Sequence, residues 1–255
     1  MTINDELKEK IKSLADKYET ADFCDGDPSC VLKRYKNIND IEYAAFIAAV
    51  LAFGRREAFL QKINLILDIS DNFGGPASWL KNAYYKKTFL PDNGDYNKKF
   101  YRFYSYADFI ELFDIMHKLL NEYETLGKYF AGRFADCDNS LHLAGLICET
   151  FKNCKIVPQG KTSANKRINM FLRWMVRKNS PVDLGLWDWY SPADLIIPLD
   201  VHVIQESIKL GLLPPNSSGT LKTAIELTNI MKQIWHDDPC KADFALFGLG
   251  VDNPL

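Results

Sequence analysis

From Tyr43 to Phe53 the chain reads Tyr-Ala-Ala-Phe-Ile-Ala-Ala-Val-Leu-Ala-Phe, eleven residues without a charge. A membrane-spanning helix needs about 20 apolar residues, so this run belongs inside a folded core, as a buried helix. A helix buried on all sides needs other helices to cover it. The remaining periodicity supplies them. Leu7, Ile11, Leu14, Ala15 and Tyr18 recur at three- and four-residue steps, the pattern of an amphipathic helix. Asp40 precedes the apolar run and is a candidate N-cap, and Gly54 follows it at a C′ position. Further helices are expected over residues 55–70, 106–121, 123–135, 140–153, 163–178, 200–211, 219–235 and 239–248. The stretch 84–104, rich in Tyr, Phe and Lys with a Pro91-Asp92-Asn93-Gly94 turn, reads as a loop or a pair of short strands. The fold class is therefore mainly α. The tail Asp252-Asn253-Pro254-Leu255 is expected to be loose.

Composition excludes several classes. With 47% hydrophobic and 25% charged residues, neither a disordered nor a fibrous chain is expected. A formal charge of −2 excludes a globally basic nucleic-acid coat and leaves room for a local basic patch. Met1-Thr2-Ile3-Asn4-Asp5-Glu6 lacks the basic-then-apolar pattern of a secretory signal, so a cytoplasmic location, with no membrane partner, is expected. The six cysteines show no C-x-x-C spacing, and the four histidines form no paired ligand motif, so no metal site is expected. Free thiols suit a reducing compartment.

The chemistry concentrates in the second half. On helix 163–178, at about 100° per residue, Lys166, Arg173 and Arg177 fall in a stripe roughly 40° wide. Ile168, Phe171, Leu172 and Met175 lie opposite. Such a stripe is either an ordinary solvated face or an anion-facing surface for nucleic-acid phosphate. Asp200 follows Ile196-Ile197-Pro198-Leu199 and opens an amphipathic segment, where it serves as an N-cap. A carboxylate there is held as the anion by the helix dipole and the unpaired N–H groups. An amine beside such a carboxylate suits reaction at a sugar carbon. The acid stabilises positive charge on the sugar, and the amine can attack it to form an imine.

Leu199-Asp200-Val201-His202-Val203, continued by Ile208-Lys209-Leu210-Gly211-Leu212, resembles the aspartate-bearing V-D-x-H-V segment of the helix-hairpin-helix DNA glycosylases. That superfamily includes the endonuclease III and 8-oxoguanine glycosylase types. Lys166-Arg167-Ile168-Asn169 looks like the start of its lysine helix, and Ala242 to Gly250 is similar to its C-terminal A-L-x-x-L-G helix. The run Lys166 to Arg177, with Pro198-Leu199-Asp200, is similar to a bacterial family of uncharacterised proteins grouped with those enzymes. The likeness covers most of the chain. It departs from the superfamily in four places. The hairpin is reduced to Pro158-Gln159-Gly160, Lys161 is a second lysine beside it, 34 positions separate Lys166 from Asp200, and only Cys240 stands where cluster-binding cysteines would lie.

The resemblance implies a two-lobed helical glycosylase fold, divided here as residues 1–54 plus 212–255 and residues 55–211. It implies removal of a damaged or mismatched base from duplex DNA, with or without lyase activity, by a monomer needing no cofactor. Lys166 is the implied nucleophile and Asp200 the charge stabiliser. Arg173, Arg177, Lys161, Arg167, Arg55, Arg56 and His202 are the implied DNA or substrate contacts. Trp174, between the two faces of its helix, is the pocket aromatic. Two alternatives stay open: a non-catalytic DNA- or RNA-binding module, or a small-molecule enzyme that has lost the DNA surface.

Overall fold

The computed structural model describes residues 2–137 and 142–252. In chain order its elements are α1 (Asp5–Tyr18), α2 (Ile38–Leu51), α3 (Arg56–Asp71), α4 (Pro76–Lys81), α5 (Tyr85–Thr88), β1 (Lys99–Tyr101), β2 (Tyr104–Ser105), α6 (Tyr106–Tyr123), α7 (Leu126–Ala135), α8 (Leu143–Thr150), α9 (Lys166–Val176), α10 (Val201–Lys209), α11 (Leu221–Met231) and α12 (Ala242–Asp252). The protein is mainly helical, and β1 and β2 pair as an antiparallel hairpin. Among the described residues no helix is long and apolar enough to cross a membrane.

Local chemistry sets most helix starts. Asn4 caps α1 by accepting the Leu7 N–H at 2.9 Å. Ser105 and Asp108 form a reciprocal capping box at α6. Thr220 accepts the Thr223 N–H at the start of α11. At α2 the expected cap is displaced. The helix begins three residues earlier, capped by Asn37, whose Oδ1 accepts the Asn39 N–H at 2.8 Å. Asp40 lies inside the first turn and accepts the Ala77 N–H instead, at 2.8 Å. An Asx side chain upstream won the capping position, which freed Asp40 to hold the start of α4.

The chain forms two compact units, one running up to Asp25 and resuming at Gly160, the other Gly26–Gln159. These limits differ from the division at 1–54 plus 212–255 and 55–211 that the resemblance implied. Residues 26–54 belong with the middle of the chain, because α2 is buried from Ile41 to Leu51 among α3, α4, α7 and the turn Pro28–Lys33. Residues 160–211 belong with the termini, because α10 packs on α12 and α12 on α1. Two glycines permit that packing. A Cβ on Gly248 would strike the Tyr18 ring, and one on Gly250 would lie 2.8 Å from His202 Cβ.

The core of the Gly26–Gln159 unit joins α2 to an aromatic group around Phe89, whose ring lies 4.9 Å from that of Phe100 and 5.3 Å from that of Phe113. Helix α9 is shorter than the 163–178 expected. Residues 162–164 are drawn into pairing with the loop before α11: Ala164 N–H donates to Gly219 and the Leu221 N–H to Thr162. The expected helix at 140–153 is seen as Leu143–Thr150; residues 140 and 141, like 253–255 of the expected loose tail, lie outside the described residues.

Candidate functional site

Lys166 is the first residue of α9, and the chain before it is tightly fixed. Asn165 adopts φ +45°, and its Nδ2 donates to the Gly160 carbonyl at 3.2 Å. Asn169 Nδ2 reaches back to the Ala164 carbonyl at 2.8 Å. These bonds aim the first turn. Asp200, in extended conformation, caps α10 as the sequence suggests: its Oδ1 accepts the Val203 N–H at 3.0 Å. That leaves Oδ2 toward Lys166, whose Nζ stands 3.8 Å away. The side chains keep 29% and 20% of their exposure, so the pair is reachable yet partly shielded. Phe247 places its ring centroid 5.9 Å from the ammonium, and Met170 Sδ lies 3.7 Å from it. The His202 ring meets Phe247 edge-on at 6.0 Å. Thus α9, α10 and α12 each supply part of one site.

Asp243, in the first turn of α12, completes it. Its carboxyl is buried, binds Arg173 Nη1, and interacts electrostatically with both Asp200 and Lys166. Burial pushes it up to about 6, against the opposing pull of Arg173. Sequence reading passed over this residue. The signal was present: an acid at the start of a largely apolar helix, between Ala242 and Phe244, needs a buried partner.

Arg173 and Arg177 do not form an anion-facing surface. They retain only 3% and 2% of their exposure. Arg173 binds Asp183 and Asp243. Arg177 binds Asp183 at 2.5 Å, Asp238 at 2.7 Å and Glu19 at 2.9 Å. Asp183 is pushed upward by its complete burial, while both guanidinium groups pull the other way. The stripe is buried because α9 is covered on all sides, from Ile168 to Val176. Carboxylates from other elements then neutralise its cations. Trp174 is likewise fully buried, with no hydrogen-bond partner for its indole N–H among the described residues. It offers no open stacking face.

Of the remaining candidates, Lys161 is exposed and Arg167 half-buried in the unit that holds the site. Arg55 and Arg56 are exposed at the start of α3, in the other unit. Among the described residues no group of three or more His, Cys, Asp or Glu side chains is arranged to hold a metal ion.

No curated protein and no solved structure matches the chain. A family model does, over residues 27–252, a span containing Lys166, Asp200 and Asp243; its description is "Protein of unknown function (DUF2400)". On the extent of that match the chain belongs to the DUF2400 family.

Proposed function

We propose that this protein is a DNA glycosylase of the helix-hairpin-helix type, acting on a damaged or mismatched base, with Lys166 and Asp200 as its reacting groups. The observation that carries the reading is the 3.8 Å approach of an amine and a carboxylate 34 positions apart, each fixed at the start of its own helix. In the reaction the bond from C1′ of the sugar to the base nitrogen breaks, and its electron pair leaves with the base, which takes up a proton. Asp200, ionised at the start of α10, stabilises the cationic sugar. The Lys166 amine, as the free base, adds to C1′ and loses a proton; the C1′–O4′ ring bond then breaks, its electron pair leaving on O4′, which takes up a proton, and the C1′=N imine that results can be used by a later elimination. Asp243 binds Arg173 and interacts electrostatically with both members of the pair.

The test is base release and borohydride trapping across duplexes carrying uracil, oxidised, alkylated and mismatched bases. Release from at least one duplex is expected, with Asp200→Asn slowing it by about 10² or more. No release and no adduct on any substrate would overturn the reading. A second reading, a small-molecule enzyme on the same scaffold, draws support from the neutralisation of Arg173 and Arg177. It expects no oligonucleotide binding even at low salt.

A further inference from the structure

The β1–β2 hairpin carries a second functional signal, in the Gly26–Gln159 unit and independent of Lys166. Its two-residue tip is Arg102-Phe103, between the paired Tyr101 and Tyr104. Arg102 sits at φ +50°, a position that glycine or asparagine would occupy without strain. Phe103 is 58% exposed, the most exposed aromatic side chain among the described residues. A turn that protected itself from solvent would carry Asn-Gly here; this one carries a long cation and a bare ring. A backbone outlier at an exposed tip points to a function for the side chains that it presents.

The surroundings identify the chemistry. The Arg102 guanidinium lies over the Phe53 ring, 5.6 Å from its centroid, and against Gly54, where any Cβ would strike it. Gly54 leads directly into the exposed Arg55 and Arg56. Lys99 Nζ donates to the Phe103 carbonyl at 2.9 Å, which adds its charge to the tip. Among the described residues none of these four cations pairs with a carboxylate, whereas Lys98, next in the chain, is neutralised by Asp92 at 2.9 Å. One protruding ring amid unpaired cations matches a flat, apolar face attached to an anionic backbone. A membrane-binding face would need a continuous apolar surface, whereas here Phe103 meets the Phe53 ring at 5.6 Å and the Tyr104 ring at 4.5 Å in a small aromatic group bordered by cations.

We propose that the hairpin tip is a single-strand nucleic-acid contact, with Phe103 stacking on an unpaired base and Arg102, Arg55 and Arg56 holding the flanking phosphates. The test is fluorescence anisotropy with a fluorescein-labelled oligothymidylate of about 15 nucleotides, the same strand in duplex form, and anionic phospholipid vesicles. The full chain should bind the single strand more tightly than the duplex. Phe103→Ala should weaken single-strand binding by about tenfold, and Phe103→Trp should restore it. Arg102→Gly, which relieves the backbone, should lower the salt slope of the binding constant by about 0.7. Because Phe103 is exposed, the variants should keep the wild-type melting temperature. Single-strand binding unaltered by Phe103→Ala, no oligonucleotide binding at low salt, or binding to vesicles alone would overturn the proposal.

Discussion

At the first turn of α9, Lys166 faces one carboxylate, Asp200, across 3.8 Å with part of each side chain open to solvent. Two turns on, Arg173 and Arg177 meet Asp183, Asp243, Asp238 and Glu19 with almost no exposure. Both regions belong to one cationic stripe on one helix. What separates them is the supply of anions. Fully desolvated cations must be matched by buried acids, and a network so complete holds the fold together and has nothing left for a ligand. A loosely matched pair at the edge can exchange its partner for a substrate.

Removing a member of the buried network should have the largest effect. Arg177→Ala leaves the Asp183 side chain, which has no exposure, short of a partner. The expected loss is about 3–5 kcal/mol in urea unfolding; a loss below about 1 kcal/mol, the range of surface pairs, would erase the distinction between the two ends of α9. The next effect follows pH. Asp243 titrates near 3.8 when unfolded and at about 6 when folded. The folded state therefore holds its proton more tightly. The stability that this gives is fully present below about pH 4 and is lost as pH rises through about 6, up to about 3 kcal/mol. Relative to Asp243→Asn, the wild type should lose stability across that window and change little above it. A relative gain would mean that Arg173 outweighs burial.

Smaller effects are expected at the open end. Asp200→Ala should cost about 1 kcal/mol through the lost cap, and Asp200→Asn only a few tenths, since Asn caps equally well. Activity should fall in both, which separates capping from charge. Lys166→Ala should change stability by less than about 1 kcal/mol, as for other partly exposed pairs, and still abolish the trapped adduct.

Local signals were legible. The three- and four-residue spacing in Leu7–Tyr18 gave α1, and Asp200 before an amphipathic run gave the cap of α10. The joining of Lys166 to Asp200 was suggested by chemistry and by a resemblance but not by any local pattern, because 33 residues of irregular chain and helix intervene. The burial of Arg173 and Arg177 was not legible at all. Their partners include Glu19, 158 positions away, and Asp243, 70 away, and nothing in a helical wheel registers acids so remote. Periodicity marks which residues share a face, while exposure depends on what packs against it. The same limit hid the hairpin tip, since neither the turn position of Arg102 nor the exposure of Phe103 can be read before Tyr101 and Tyr104 are paired.

The central claim is that Lys166, beside Asp200, is the amine that meets the sugar. Mass mapping of the borohydride-trapped protein–DNA adduct tests it most directly. The modified peptide should begin at the Lys166 helix and carry the sugar on Lys166 itself, with no adduct in Lys166→Ala. An adduct on Lys161, or one of equal yield in Lys166→Ala, would contradict it.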